Sequence, residues 1–157
     1  MILVTLGTQD KEFTRLLDAI QTQIKKGKIK DRVVVQAGCT NYKSNDMEIF
    51  DLIPMDEFKK LVKECDLLIS HGGVGSIIAG LDNNKVVIAA PRLKKYGEHV
   101  NDHQLEIINE FVKRKHILAL NDFNQLDKIL EKAKTFKPKE YKSNTINMIK
   151  LIKGFIN

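Results

Sequence analysis

Apolar residues fall along the chain in short runs, separated by longer stretches in which they recur at helical spacing. Most of these runs are continuous rather than alternating with polar residues. A continuous run of Val, Ile and Leu indicates a strand that is buried on both faces, as in a parallel sheet. We therefore predict six strands, which are Ile2–Leu6, Arg32–Gln36, Ile49–Ile53, Leu67–Ser70, Val86–Ala90 and Ile117–Leu120.

Two of the intervening stretches show a clear helical stripe. Between Phe13 and Ile24 apolar residues recur at i, i+3, i+4, i+7 and i+11, behind a predicted N-cap at Asp10. A second stripe runs from Leu105 to Val112. Strands that alternate with such helices predict an α/β fold: a single Rossmann-like domain with a mainly parallel sheet of about six strands and helices on both faces.

The end of the chain has a different pattern. Residues 145–156 place their apolar side chains on one broad arc, with Lys150 and Lys153 outside it. A Lys-Pro-Lys stretch at 137–139 separates this segment from the rest. We predict a Rossmann-like domain over residues 1–136 and a basic, amphipathic helix over residues 137–157 that docks on a partner.

The net charge of +6 is concentrated in that last segment. Residues 1–131 hold 19 Lys and Arg against 19 Asp and Glu, so the surplus lies in the last 26 residues. Such a patch suits an anionic surface such as lipid headgroups, although a merely solvated tail fits the charge equally well. The tail has no Arg and few aromatic residues, which argues against a nucleic-acid partner.

Composition limits the remaining classes of protein. A chain of 157 residues with 43% apolar residues suits one domain with its own core. No run approaches the roughly 18 apolar residues of a membrane span, and the first residues lack the features of a leader peptide. Cys39 and Cys65 fit no metal or redox spacing, so we expect both to be structural in a cytosolic, soluble protein.

Ligands of an open parallel sheet bind beyond the carboxyl ends of its strands. Three stretches of this chain directly follow predicted strands and carry candidate chemistry: residues 7–9, 71–76 and 91–104. The middle stretch is the most informative, because it contains three glycines in four residues.

The glycine-rich stretch suits a phosphate or diphosphate. Gly72, Gly73 and Gly75 remove side chains where a strand turns into a helix, so backbone N–H groups at the positive end of the helix dipole can approach an anion closely. Ser76 adds a hydroxyl and His71 an imidazole. Two plainer interpretations stay open: the glycines serve the sterics of a tight turn, and His71 is a satisfied core or turn residue.

Several familiar sites can be excluded by spacing. The glycines do not match the dinucleotide fingerprint, and no P-loop sequence is present. A hydrolase is disfavoured because no G-x-S-x-G elbow supplies a nucleophile. His99 and His103 are spaced for a metal on a helix but have no third ligand nearby in sequence, so we expect no metal site.

Residues 69–76, followed by 86–91 and 98–104, resemble the nucleotide-sugar half of GT-B glycosyltransferases. The similarity is greatest to the glycosyltransferase family 28 C-terminal domain, and it covers nearly the whole chain. Within that family the chain resembles the catalytic subunits of two-component UDP-sugar transferases. Its opening stretch is similar to the subunit of asparagine-linked glycosylation, and residues 91–104 are closer to bacterial capsule and exopolysaccharide relatives.

The resemblance implies a donor site whose parts have distinct roles. His71 and the N–H groups from Gly73 to Ser76 would hold the diphosphate, and His71 would stabilise the charge of the leaving group. Asp102 and Gln104 would contact sugar hydroxyls, with helix capping and surface polarity as the plainer alternatives. The implied donor-binding residues are Gly7, Thr8, His71, Gly72, Gly73, Val74, Gly75, Ser76, Asn101, Asp102 and Gln104.

One position departs from the family pattern. Relatives often carry an acidic, ribose-binding residue eight positions after the first residue of the glycine motif, and this chain has Ala79 there. Asp82 lies nearby but off the pattern.

The resemblance predicts the UDP-sugar-binding catalytic subunit of an inverting hexosyltransferase that acts on a lipid-diphosphate-linked saccharide in capsule or exopolysaccharide biosynthesis. Galactose is the first expectation, followed by N-acetylglucosamine, glucose and glucuronic acid. No cofactor is expected, because preorganised amides can stabilise the leaving diphosphate. A membrane-anchored partner subunit would supply the acceptor half, which places this chain at the inner face of the membrane. The alternative is a non-catalytic nucleotide-binding or regulatory module.

Overall fold

The computed structural model describes residues 1–99 and 101–140, which form alternating strands and helices. The strands are β1 (Ile2–Thr5), β2 (Val33–Gln36), β3 (Glu48–Phe50), β4 (Leu67–Ser70), β5 (Val86–Ala89) and β6 (Leu118–Ala119). The helices are α1 (Thr14–Lys25), α2 (Met55–Glu64), α3 (Val74–Asp82), α4 (His103–Lys113) and α5 (Leu126–Thr135). Short 3₁₀ turns lie at Lys94–Tyr96 and Phe123–Gln125.

All six strands are parallel, in the order β3-β2-β1-β4-β5-β6. The chain proceeds outward in one direction from β1 and in the opposite direction from β4, so the order reverses between these two central strands. Loops that leave adjacent strands toward opposite faces open a crevice at this point, where doubly wound sheets bind their ligands. The predicted fold class is confirmed, and the crevice falls between the loops that begin at Leu6 and His71.

Each face of the sheet is covered by helices. One core cluster joins α1 and α5 to alternate strand residues such as Val4 and Ile69. The other joins α2, α3 and α4 to the intervening residues, such as Leu3 and Leu68. Gly80 lets α3 lie close to the sheet, because a Cβ there would be 2.6 Å from Val87 Cγ2. Burial on both faces explains why the central strands read as continuous apolar runs.

Two predicted strands are two residues longer than the observed ones, and three others are longer by one residue. The third strand was expected at 49–53, but β3 ends at Phe50 because the chain bends at Asp51. The sixth was expected at 117–120, and only Leu118 and Ala119 form a ladder with β5. Both are edge strands, which have a neighbour on one side only to fix their length.

The predicted N-cap at Asp10 is wrong. Helix α1 begins at Thr14, and Phe13 occupies the N-cap position without a side-chain cap. Tertiary contacts hold the preceding backbone out of the helix: Thr40 Oγ1 accepts the Phe13 N–H at 3.0 Å, and Arg92 donates to the Lys11 carbonyl at 2.6 Å.

The segment after α5 returns to the body of the domain. The Lys139 N–H donates to the Lys115 carbonyl at 2.9 Å. Residues 137–140 are not helical, and the remainder of the predicted C-terminal helix lies outside the described residues. Within the described ranges, no helix has both the length and the apolar character needed to cross a membrane.

Candidate functional site

The crevice at the centre of the sheet is built around the imidazole of His71. This side chain follows β4, and its ring lies between Gly7, which follows β1, and Gly73, which precedes α3. A Cβ at Gly7 would lie 2.7 Å from ring atoms Cε1 and Nε2, and one at Gly73 would lie 2.5 Å from Nε2. The two glycines therefore leave the space that the imidazole fills, and the structure brings Gly7, His71 and Gly73 together.

His71 is buried but not fully satisfied. The residue is 7% exposed, and its backbone N–H donates to the Thr5 carbonyl at 3.0 Å. Its side-chain Nδ1 is buried and has no hydrogen-bond partner among the described residues. Buried polar atoms are almost always paired, so this one is a candidate contact for a ligand. A satisfied core histidine, the plainer interpretation, does not describe this environment.

The imidazole is neutral at physiological pH. Burial, followed by the positive charge of Arg92 and the proximity of His99, lowers the pKa of His71 to about 3. The charge-stabilising role inferred from the resemblance therefore begins from a neutral ring that can donate or accept one hydrogen bond at each nitrogen. An anion that bound beside the ring would favour its protonated form.

The low pKa of His71 makes folding stability depend on pH. In the unfolded chain the imidazole takes up a proton near pH 6.5, whereas in the folded protein it does so only near pH 3. Between those values the unfolded state binds more protons, so stability falls as the pH falls. We expect this one group to remove about 2 kcal/mol from the free energy of unfolding between pH 7 and pH 5.

Denaturant unfolding at pH 7, 6 and 5 tests this prediction. A His71→Asn variant should show a shallower loss of stability than the unsubstituted protein across the same range. Parallel pH profiles for the two proteins would contradict the assignment of the low pKa to His71.

The start of α3 presents backbone amides to the crevice. Gly73 is the N-cap residue, and no described side chain caps the helix. The first N–H groups of a helix, here those of Val74, Gly75 and Ser76, have no partner within the helix. A Cβ at Gly75 would meet nothing within 4 Å, so the space beside the first turn of α3 is open. The arrangement is suited to an anion.

The hydroxyl of Ser76 forms hydrogen bonds within the turn, whereas we predicted that it would contribute to anion binding. It donates to the Gly73 carbonyl at 3.0 Å and lies 2.6 Å from the Ser70 hydroxyl, whose oxygen accepts the Gly72 N–H at 3.2 Å. This chain of bonds engages the Ser76 hydroxyl within the turn. Its backbone N–H, rather than its side chain, is the group placed for a ligand.

The three glycines of the motif have three different explanations. Gly72 has φ +96°, and a Cβ there would lie 2.7 Å from Ile108 Cδ1. Gly73 makes room for the ring of His71. The steric interpretation thus accounts for Gly72 and Gly73, and only Gly75 leaves unfilled space next to the helix start.

The loop between β5 and α4 contributes the remaining predicted residues. Gln104 is half-buried, and its Oε1 is buried without a partner among the described residues, close to Gly72. Asp102 is exposed, and instead of capping α4 its Oδ1 accepts the Lys94 N–H at 2.9 Å. The Asn101 N–H donates to His99 Nδ1 at 3.2 Å. Gln104 therefore lies beside the glycine turn, while Asp102 holds the preceding loop.

Thr8 follows Gly7 in the loop after β1. It is exposed and lines an open cleft of about 550 Å³ beyond the carboxyl ends of β1, β2 and β3, together with Cys39 and Asp51. Asp82 is the last residue of α3, about 12 Å along the helix from Val74, which places it away from the crevice. The described residues contain no group of three or more His, Cys, Asp or Glu side chains that could hold a metal ion.

A buried ionic cluster next to the crevice was not predicted. Glu98 accepts two hydrogen bonds from Arg15, at 3.0 and 2.9 Å, and one from the Leu93 N–H at 3.0 Å. Arg92 is 1% exposed and donates to three backbone carbonyls. One sign of this cluster is present in the sequence, which is an Arg shortly after a buried strand. Neighbouring residues do not, however, distinguish a buried Arg from an exposed one.

Comparison with known proteins places the chain in a family. Residues 1–155 match the model described as the glycosyltransferase family 28 C-terminal domain. Two curated relatives are described as UDP-N-acetylglucosamine transferase subunit ALG13. The one from Candida albicans is 37% identical over 76 residues, which is 48% of this chain and 25% of that protein. The one from Debaryomyces hansenii is 31% identical over 105 residues, or 67% and 45%.

Solved structures show the same fold. An NMR structure of ALG13 has a TM-score of 0.62 at 21% identity and covers 96% of this chain and 93% of that one. The glycotransferase of kitacinnamycin has a TM-score of 0.63 at 16% identity, covering 98% of this chain and 37% of that one.

The chain spans less than half the length of the two curated relatives that it matches. The family model nevertheless matches almost all of its residues. The family resemblance drawn from the glycine motif and the loop after β5 is confirmed. The chain belongs to the glycosyltransferase family 28 C-terminal domain family.

Proposed function

We propose that the chain is the UDP-sugar-binding, catalytic subunit of a two-component glycosyltransferase. The observation that carries the proposal is the environment of His71. A neutral imidazole with an unpartnered, buried Nδ1 lies beside the uncapped start of α3, at the point where the strand order reverses. Family membership, together with relatives that are described as transferase subunits, supports the same conclusion.

The donor's diphosphate fits the start of α3. The N–H groups of Val74, Gly75 and Ser76 would donate hydrogen bonds to its oxygens, and His71, whose ring lies against Gly73, would add another. Gln104, with its unpartnered Oε1 near Gly72, would accept a hydrogen bond from a sugar hydroxyl. When the bond from the sugar to the diphosphate breaks, these preorganised groups would stabilise the negative charge of the departing UDP.

The sugar and the acceptor are the finer parts of the proposal. The names of the two ALG13 relatives favour N-acetylglucosamine as the transferred sugar. Galactose and a role in capsule or exopolysaccharide synthesis gain no support from the comparisons. We keep a lipid-diphosphate-linked saccharide as the acceptor class, brought by a membrane-anchored partner subunit at the cytoplasmic face. The word "subunit" in the relatives' description is consistent with such a partner.

Calorimetry with UDP, UDP-N-acetylglucosamine, UDP-galactose and NAD tests the donor site. UDP and one UDP-sugar should bind, and NAD should not. A His71→Ala variant should lose at least about tenfold in UDP affinity, equivalent to about 1.4 kcal/mol. His116→Ala is the matched control, because His116 lies on the turn after α4 and bonds to the Lys139 carbonyl. Equal UDP affinity in the two variants would contradict the proposed site.

Transfer itself requires a second assay. Labelled UDP-sugars are incubated with this chain and with membranes from the organism that encodes it, with the chain omitted or replaced by His71→Ala as controls. Incorporation of label into a lipid-linked saccharide only when the active chain is present would support the enzyme. UDP binding without incorporation from any donor would support a non-catalytic nucleotide-binding module instead.

A further inference from the structure

We infer that Arg92 is a positioning residue of the donor site, which clamps the loops after β1 and β5 to each other and thereby fixes Gly7 and His71 for the diphosphate. This inference rests on the proposed function, because it assigns a role within the same site. It concerns a residue that has no direct place in the donor contacts described above.

The hydrogen bonds of Arg92 connect two loops. Its Nη2 donates to the Leu6 carbonyl at 2.5 Å, and its Nη1 donates to the Lys11 carbonyl at 2.6 Å and to the Glu98 carbonyl at 3.0 Å. Leu6 and Lys11 bracket the β1 loop, which contains Gly7. Glu98 closes the β5 loop. A single guanidinium therefore fixes both ends of one loop against the other.

The position of the β1 loop determines the position of His71. Gly7 is in contact with the imidazole, and its φ of +80° is held within a loop that Arg92 anchors on both sides. A change in this loop would move the surface against which the ring rests. Since Gly73 contacts the same ring from the opposite side, the spacing of the two glycines sets the ring's place at the start of α3.

The charge of Arg92 also acts on the crevice. Among the described residues no carboxylate forms a salt bridge with it, because the Glu98 carboxylate is engaged by Arg15. The cation is held by carbonyl dipoles and lies over the ring of Phe13, 5.1 Å from the centroid. A buried charge in such surroundings is weakly screened and produces a positive potential at nearby groups. That potential favours an anionic ligand in the crevice.

The electrostatic surroundings of Arg92 come from several elements. Cys39 lies in the loop after β2 and Glu98 in the loop after β5, where Glu98 is paired with Arg15 of α1. His71, in the loop after β4, is influenced by Arg92 and by His99. Arg92 is one of the groups that lower the pKa of His71. Removal of its charge therefore has a spectroscopic consequence that a purely structural role would not produce.

Two substitutions separate the parts of the clamp. Arg92→Met removes both the charge and the three hydrogen bonds, whereas Arg92→Lys keeps the charge on a compact ammonium that cannot span the same carbonyls. Arg32→Met is the matched control, because Arg32 lies at the start of β2 in an exposed pair with Glu48. Each folded variant is examined by UDP calorimetry, by thermal unfolding and by NMR titration of the His71 imidazole.

We expect UDP affinity to fall by about tenfold in Arg92→Met, or about 1.4 kcal/mol, and by a smaller factor in Arg92→Lys. The His71 pKa should rise in Arg92→Met and stay low in Arg92→Lys. Arg32→Met should change neither quantity. If Arg92→Met does not fold, the UDP affinity of Arg92→Lys tests the positioning role of Arg92.

Wild-type affinity for UDP in a folded Arg92→Lys or Arg92→Met variant would overturn the inference while leaving the proposed function intact. Failure of the unsubstituted protein to bind UDP would instead overturn the proposed function. An unchanged His71 pKa in Arg92→Met would refute the electrostatic part of the inference.

Discussion

Replacement of Gly73 by alanine should reduce UDP binding by more than about tenfold, which corresponds to at least about 1.4 kcal/mol, while the domain remains folded. The Gly73 backbone, at φ −69° and ψ 135°, is one that alanine adopts without strain. The added methyl group would lie 2.5 Å from Nε2 and 2.6 Å from Cε1 of His71. The ring must therefore leave its place, and the site loses the group on which the proposal depends.

Gly75→Ala is a control for folding only, because the Gly75 N–H is among the groups proposed to bind the diphosphate. A Cβ at Gly75 meets nothing within 4 Å, and the residue lies inside α3, where alanine is favoured over glycine by up to about 1 kcal/mol. Thermal unfolding should therefore show a gain of stability for Gly75→Ala and a loss for Gly73→Ala. If a folded Gly73→Ala variant binds UDP as tightly as the unsubstituted protein, the position of His71 is irrelevant to the donor.

The second large effect is expected at Glu98, whose side chain is 4% exposed and paired with Arg15. Glu98→Gln keeps the shape of the side chain but leaves Arg15 without a carboxylate, next to the buried cation of Arg92. Because the Arg15 side chain is 24% exposed, the pair is only partly buried, and removal of one partner should cost about 2 kcal/mol, between the values for exposed and fully buried pairs. For a domain of this size we expect the unfolding temperature to fall by about 6 °C.

Glu48→Gln provides the comparison at an exposed pair. The side chains of Arg32 and Glu48 are 59% and 45% exposed, so the loss of their ion pair should cost less than about 1 kcal/mol. Calorimetric unfolding of the two variants measures the difference directly. Equal unfolding temperatures would show that the Arg15–Glu98 pair contributes no more than a surface pair.

The sequence predicted those strands and turns whose formation depends on residues that are close together along the chain. Continuous apolar runs identified the four central strands, because strands buried on both faces require them. The glycine turn was found because it follows a strand and precedes a helix. The N-cap at Asp10 failed for the opposite reason: Thr40 and Arg92, which are distant in sequence, hold the backbone near Phe13 outside the helix.

The candidate site shows the same division. Spacing pointed to the glycine turn and the resemblance supplied the implied donor residues, but two of the observed features could not be predicted from either. The hydroxyl of Ser76 is engaged by Ser70, and the burial of Arg92 depends on the carbonyls of Leu6 and Lys11. Such contacts form only when the sheet has assembled, and no periodicity in the sequence records them.

The reversal of strand order between β1 and β4 has a consequence for how the protein is made. The pairing next to the crevice joins Ile2 to Leu67 and Thr5 to Ser70. More than 60 further residues must therefore be synthesised before β1 can pair with β4. Contacts of such long range form slowly, because the closure of a large loop precedes any gain from them. The chain must therefore emerge from the ribosome at least through Ser70 before the two central strands can pair. A UDP-sugar bound as proposed would protect the whole sheet from proteolysis rather than one loop.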